Sequence, residues 1–562
     1  MDATTVHRGQ IVDIGAARTF PGIVEVREGR VVAVRVDASV TETTYLAPGF
    51  VDAHVHVESS MLTPREFGRL ALVHGTVATV SDPHEIANVL GLAGVRYMQA
   101  QALETPCKLH FGIPSCVPAT RFETAGADLG PQEVAILCED PSLRYLSEMM
   151  NFPGVIARDP EVMEKIRLAR QHGKRIDGHA PGLRGEALAR YVAAGIETDH
   201  ECFQIDEARE KQALGQKILV REGSAAKNFE ALWPLLNEHP ESCMLCTDDL
   251  HPDDLLEGHI NRLAARAVAR GVPWPHVLRV ACVNPVEHYG LRSGLLRPGD
   301  PADFVRLGDL ERFEVLETWV DGNLVARGGV SLLPRSASPV VNHFHATRKS
   351  PADFVVAAGD GDLRVIEAID GELVTNCAWM PACVRGGQAV ADPDRDLLKL
   401  SVVNRYRDAK PAVAFVRGVG LRGGAIASSV AHDCHNLVAV GDSEESICRA
   451  VNRLIDLRGG IAWVGQDASG AWKEDALPLP VAGLMSDGFA EDVAAGYQRL
   501  TRLARASGST LRAPYMTLSF LALLVIPTLK LSDLGLFDGR EFRFVELFGG
   551  KDRGPSGRTT DA

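Results

Sequence analysis

The sequence predicts an α/β protein: a (β/α)8 barrel inserted in a small β-sandwich domain, followed by a C-terminal mixed α/β domain. Three observations predict it. Eight strand-like segments alternate with helix-like stretches between Pro48 and Gly290, in a span close to the usual ~250 residues of such a barrel. Short alternating strands bounded by Gly and charged turns flank this region on both sides. Metal-ligand and acidic side chains recur where successive strands end, which is where a barrel builds its site.

The elements follow in order. Gly22–Arg27 and Arg30–Val36 alternate apolar and polar residues, as half-buried antiparallel strands do. The barrel strands are expected at Phe50–Val57, Thr76–Asp82, Lys108–Pro114, Tyr145–Asn151, Arg175–His179, Ile196–Cys202, Lys217–Arg221 and Cys243–Asp248. Helical stretches such as Pro64–His74, Arg184–Ala194 and Asp254–Arg270 separate or follow them. Beyond Gly294 the β pattern returns, with Phe304–Leu307 and a hairpin turn at Asp321-Gly322. The expected domains are therefore 1–47 with 294–336, the barrel 48–293, and 342–562. The polar tail Lys551–Ala562 is expected to fray.

Composition narrows the function. A chain of 562 residues is too long for one domain. Its formal net charge of −14 repels phosphate backbones, so nucleic acid is not an expected partner. Met1–Ile14 lacks the charged start and apolar core of a signal peptide. The most apolar run, Leu518–Leu529, is short and interrupted by Ser519 and Pro527, so it reads as core and no membrane is expected. Eleven cysteines without a disulfide rhythm suit a reducing cytoplasm. Cys243 and Cys246 have redox-type spacing but lie in an apolar strand, and read as buried small side chains.

His54 and His56 are two apart on a strand, so both imidazoles face the barrel interior and can share one divalent ion. His179 and His200 end two successive strands. Four imidazoles exceed what one metal with an open position needs, so two metals are expected, joined by an anion. Glu85, just past the second strand, can supply that bridge. Asp248, ending the eighth strand, is placed to touch a metal and the water it activates, while Asp249 points away. Glu148 lies in an apolar strand without a histidine neighbour. Burial there predicts a raised pKa, the property of a general acid.

These residues sit in long stretches: PGFVDAHVHVESSMLT at 48–63, SDPHEIANV at 81–89, GHAPGL at 178–183, TDHE at 198–201, REGSAA at 221–226, TDDLHPDDLLEGHI at 247–260 and IASSVAHDCHNL at 426–437. With APYMTLSFLALLVIPTL at 513–529 they resemble the adenine deaminase family of the metal-dependent amidohydrolases, nearly end to end. The resemblance implies hydrolysis of adenine to hypoxanthine and ammonia, a small-molecule purine base as partner, and a homodimer. It also implies two divalent ions, manganese or iron(II) with zinc the alternative. His54 and His56 would hold one ion, His179 and His200 the other, Glu85 would bridge, and Asp248 would match the superfamily's strand-eight aspartate. Relatives in the superfamily often bridge with a carboxylated lysine; here Glu148 stands at that place. Asp248 would move the proton of the attacking water while Glu148 protonates the ring, so Glu148→Gln should lower turnover and leave metal content intact. The alternative is a sister amidohydrolase acting on another amino-purine or a cyclic amide.

Three further motifs carry less. Gly418-Val419-Gly420-Leu421-Arg422-Gly423 spells a dinucleotide fingerprint, but no clear amphipathic helix follows it. Arg221-Glu222-Gly223-Ser224 resembles a helix cap rather than a nucleophile elbow. Ser428, Ser429, His432, Asp433, His435 and Asn436 form a polar cluster that either closes over the substrate or satisfies itself internally.

Overall fold

The computed structural model describes residues 4–550; the tail expected to fray lies outside them. The chain forms two compact units. The first comprises residues up to Ala119, Ala125–His343 and Leu479–Gln498; the second comprises Thr120–Thr124, Phe344–Pro478 and residues from Arg499 onward.

In the first unit the two flanking segments make one eight-stranded sheet. Its order is Val330–Ser331, Asn323–Arg327, Val315–Val320, Phe304–Leu307, Tyr45–Pro48, Thr5–Asp13, Arg18–Arg27, Arg30–Val36. The segments join where Phe304–Leu307 pairs antiparallel with Tyr45–Pro48, so the barrel leaves and re-enters the sheet through adjacent strands. One face buries Ile11, Val24, Val26, Leu46 and Phe304.

The barrel strands are Phe50–Val55, Thr76–Ser81, Lys108–Phe111, Tyr145–Met149, Arg175–Gly178, Thr198–Asp199, Lys217–Arg221 and Cys243–Cys246. Every pairing between successive strands is parallel. The ring closes between the last strand and the first: Asp248 N donates to His54 O at 2.8 Å and His56 N to Asp248 O at 3.1 Å. The expected strands run longer than these because their final residues bend out to form the rim. The expected helix Asp254–Arg270 is two helices, Pro252–Glu257 and Ile260–Ala269, parted at Gly258. Gly178 is required where it stands: an added Cβ would lie 2.3 Å from Thr198 O, so only glycine lets the fifth and sixth strands approach this closely.

Residues 479–498 belong with the barrel because their bonds go there. Ser486 N donates to Met61 O at 2.8 Å, and Arg69 pairs with both Glu66 and Glu491.

The second unit is built on a nine-stranded mixed sheet. Its main path runs Thr375–Met380, Asp362–Ala368, Ala412–Arg417, Leu398–Val403, Leu437–Gly441, Gly424–Ser428, Gly460–Gln466, Trp472–Pro478. The helix Glu444–Leu457 begins at Ser443, whose hydroxyl accepts from Ser446 N, and buries Ile447, Val451 and Leu454 against the sheet. The glycine-rich loop has its amides taken. Asp396 accepts from Gly418 N and Gly420 N at 2.6 and 2.8 Å, Asp442 from Gly423 N and Gly424 N at 2.5 and 3.1 Å. A strand follows it rather than a helix, so the fingerprint cradles its own carboxylates. In the polar cluster, Ser428 Oγ and Val430 exchange hydrogen bonds, His435 Nδ1 accepts from Ala431 N, and Asn436 accepts from Arg405 N. No helix among the described residues is long and apolar enough to cross a membrane. Cys243 and Cys246 are buried free thiols.

Candidate metal centre

The rim at the carboxyl ends of the barrel strands gathers His54, His56, Glu148, His179, His200 and Asp248, with Glu201 and Arg221. Glu148 is the hub. Its Oε1 lies 3.2 Å from His56 Nε2 and 3.9 Å from His54 Nε2, while its Oε2 lies 2.7 Å from His179 Nδ1 and 3.2 Å from His200 Nε2. Asp248 Oδ1 is 2.9 Å from His56 Nε2 and 3.4 Å from His54 Nε2. The rings of His54 and His200 stack with centroids 4.0 Å apart, which brings the two imidazole pairs side by side.

Each imidazole is aimed by the backbone beneath it. His56 Nδ1 lies 3.1 Å from the carbonyl of Asp82; donating there turns the Nε2 lone pair to the centre. His179 N donates to Tyr191 Oη, which donates on to Met149 O. Asn228 bridges two strands, donating to His200 O and accepting from Arg221 N. Under the first pair, Asp52 accepts from His54 N and Thr247 N at 3.2 and 3.1 Å and faces His259 Nε2 at 3.0 Å. Asp248 itself has φ +57°, a left-handed backbone uncommon for a residue other than glycine and concentrated at functional sites. Gly223 lets this turn pack: an added Cβ would lie 2.2 Å from Thr247 O.

Electrostatics reverse one expectation. Burial would raise the Glu148 pKa, but His179, His200 and His56 outweigh it and hold the carboxyl well below its usual range. In this arrangement the surrounding imidazoles favour the ionised carboxyl, where burial alone pointed to a raised pKa. Asp248 behaves alike: burial is overcome by Arg221, His54 and His56, and its pKa is held well down. Arg221 is fully buried and pairs with both Glu201 and Asp248. Burial disfavours charge on His179, yet Glu201 and Glu148 lift its pKa to about 9.

The donors fit divalent cations. Three carboxylates, Glu148, Asp248 and Glu201, converge with four imidazoles and one guanidinium in a dry site. The buried Nε2 atoms of His54 and His200 make no hydrogen bond. Imidazole and carboxylate groups able to share an ion occur as His54–His56–Asp248, His54–Glu148–His200 and His179–His200–Glu201. Imidazole with carboxylate is the ligand chemistry of zinc, iron and manganese centres.

Glu85 is not the group that faces both imidazole pairs. It opens the helix His84–Leu90, and its carboxylate lies 3.5 Å from His84 Nε2. Glu148 instead turns one oxygen to each pair; its strand is paired directly with the one that ends in His179. Asp249 points away as expected, accepting from Ser59 Oγ at 2.6 Å. Ser224 is no nucleophile: its hydroxyl accepts from His251 N and donates to Asp254. Sequence reasoning missed Arg221, Glu201 and His84, whose Nδ1 is 3.4 Å from Glu148. The signal was their position beside the assigned residues: Glu201 follows His200, Arg221 ends the seventh strand, and His84 precedes Glu85.

Comparison with known proteins agrees with this architecture. Residues 45–325 match the model of the amidohydrolase family, and residues 372–543 match that of the adenine deaminase C-terminal domain. The chain is 55% identical to an adenine deaminase of Salinibacter ruber over 98% of this chain and 100% of that protein. It is 53% identical to one from Sulfurovum sp. (96% and 99% covered) and 50% identical to one from Methanosarcina mazei (96% and 99% covered). Similarity of this extent runs through both units, and on it the chain belongs to the adenine deaminase family of the amidohydrolases.

Proposed function

We propose that this chain hydrolyses adenine to hypoxanthine and ammonia at a two-metal centre on the barrel rim. The observation that carries the reading is a carboxylate, Glu148, with one oxygen turned to each of two imidazole pairs, in a chain about half identical to adenine deaminases over its length. His54, His56 and Asp248 would hold one ion and His179 and His200 the other, with Glu148 between them. Two divalent cations, manganese or iron(II), supply when bound the Lewis acidity that brings a water's pKa near neutrality.

The chain's own residues do the rest. Arg221 keeps Asp248 ionised, so its carboxylate is ready to orient the attacking water and take its proton. Attack of the water oxygen at C6 breaks the C6=N1 π bond and places its electron pair on N1. Asp248 returns the proton to the amino group, and as the N1 pair re-forms the C=N bond the amine departs as ammonia, leaving 6-hydroxypurine, a tautomer of hypoxanthine. Glu148, with one oxygen turned to each imidazole pair, is placed to act as a ligand rather than as the ring's proton donor. The eleven free cysteines support a reducing cytoplasm.

Glu148→Gln tests the assignment. A bridging carboxylate requires that bound metal and turnover fall together; full metal content with low turnover restores Glu148 as an acid. Ammonia release from adenine by manganese-loaded enzyme, against other amino-purines and cyclic amides, tests the substrate.

A further inference from the structure

Below the rim, the buried carboxylate of Asp52 joins the two strands that close the barrel. Its Oδ1 accepts from both His54 N and Thr247 N, at 3.2 and 3.1 Å, and its Oδ2 accepts from Thr247 Oγ1. His54 is one of the assigned ligands, and Thr247 immediately precedes another, Asp248. Asp52 therefore fixes the backbone of the first and eighth strands at the two places from which ligands of one ion project.

A carboxylate with no exposed surface is costly unless donors or a cation-capable group meet it. Among the described residues one such group lies within ion-pairing range of Asp52. It is His259, whose Nε2 stands 3.0 Å from Oδ2, with both side chains 0% exposed. The contact lacks the alignment of a hydrogen bond, so it is one of charge and dipole and depends on where the ring is held. The ring is held from three sides. Its Nδ1 lies 2.7 Å from Thr76 Oγ1, at the start of the second strand. Phe67 meets it edge-on. The His259 backbone N donates to Asn261 Oδ1 at 2.9 Å, where the helix Ile260–Ala269 begins. With Thr76 donating to Nδ1, the Nε2–H edge faces the carboxylate. Both ring nitrogens are thus directed at Thr76 and Asp52, and the side chain acts through Asp52 rather than as a ligand.

We propose that His259 is a positioning residue of the metal centre: through Asp52 it fixes the backbone bearing His54 and Asp248, and so sets the affinity of the ion those two hold with His56. The inference rests on the two-metal reading above. Partners in this outer position typically account for about 10–100-fold in metal affinity. The other imidazole pair has its own supports, Tyr191 beneath His179 and Asn228 beneath His200, so its ion should be spared.

The test compares manganese-loaded native enzyme with His259→Met, His259→Gln and Thr76→Val. Stoichiometry and affinity are read by chelator competition, with the urea midpoint measured on the same samples. Native enzyme should bind two ions. In His259→Met one ion should weaken at least tenfold while the other is unchanged. His259→Gln, which can turn an amide N–H toward Asp52, should recover most of the loss. Thr76→Val keeps the side chain's shape and removes the hydroxyl that orients the ring; it should weaken the same ion several-fold, and it decides the matter if His259→Met does not fold. Native affinity for both ions in these variants overturns the proposal and leaves the deaminase reading intact. Equal weakening of both ions, following the midpoint and not recovered by His259→Gln, also overturns it, since that marks a merely structural role. Native enzyme that binds no ion and releases no ammonia from adenine removes both readings.

Discussion

Arg221 is the residue whose removal should be felt most widely. Its guanidinium is buried between Glu201 and Asp248, and Arg221→Met would fill the volume while leaving two carboxylates without their cation. Breaking a buried ion pair by deleting one partner costs about 3–5 kcal/mol, mainly because the remaining charge is stranded. Here two charges are stranded, and bound divalent ions would recover part of that. Activity should fall further than stability, because Asp248 loses the group that keeps it ionised and oriented; misplacing a general base costs about 10²–10⁴-fold. Arg221→Lys should rescue little, since one ammonium cannot reach two carboxylates as a planar fork does. The assay is ammonia release across pH alongside bound metal and the denaturation midpoint. In native enzyme Asp248 has a depressed pKa, so its contribution is present at neutral pH and is lost as pH falls through the folded value. In the variant that loss should begin at higher pH. An Arg221→Met enzyme with native turnover, acid limb and midpoint would refute the argument.

Two other substitutions probe the scaffold. Lys530 is buried with its ammonium against only the carbonyls of Leu373 and Phe520 at 2.7 and 2.9 Å, and burial pushes its pKa down to about 7. The unfolded chain then binds the extra proton between about pH 7 and the ordinary lysine value near 10.4, so stability rises across that window by up to about 1.4 kcal/mol per pH unit. Lys530→Met should remove that rise in a comparison of urea midpoints; an unchanged slope would contradict it. Gly178→Ala drives a methyl into Thr198 O and should cost about 1–3 kcal/mol while displacing His179, lowering metal affinity; native metal binding would show that the strands can part there without effect.

Much of the fold was legible because the barrel repeats its pattern. Runs such as Thr76–Ser81 and Lys217–Arg221 are short, apolar and β-branched, and they end where charged side chains begin. The strand ends were harder to read. Thr198–Asp199 is only two residues long in the structure, since His200 to Cys202 already form the rim. The four imidazoles and Asp248 could be found by counting residues from strand ends. The hub position of Glu148 could not, because burial alone argued for a neutral acid and only three dimensions show which imidazoles surround it. Arg221 was hidden for a similar reason: its partners, Glu201 and Asp248, lie on neighbouring strands. The placement of 479–498 with the barrel is also invisible in composition, as it depends on long-range pairs such as Glu491 with Arg69.

The rung that seals the barrel has a temporal consequence. His54 and His56 are synthesised early and Asp248 late, yet they exchange the backbone bonds that complete the ring. An emerging polypeptide can fold the early strands, but it cannot finish the ion-holding constellation until the last strand docks on the first. Pairing so distant in sequence is intrinsically slow. Cation capture is thus tied to the final act of barrel assembly, and a prematurely terminated chain would carry several of the ligands without a place to hold the ions.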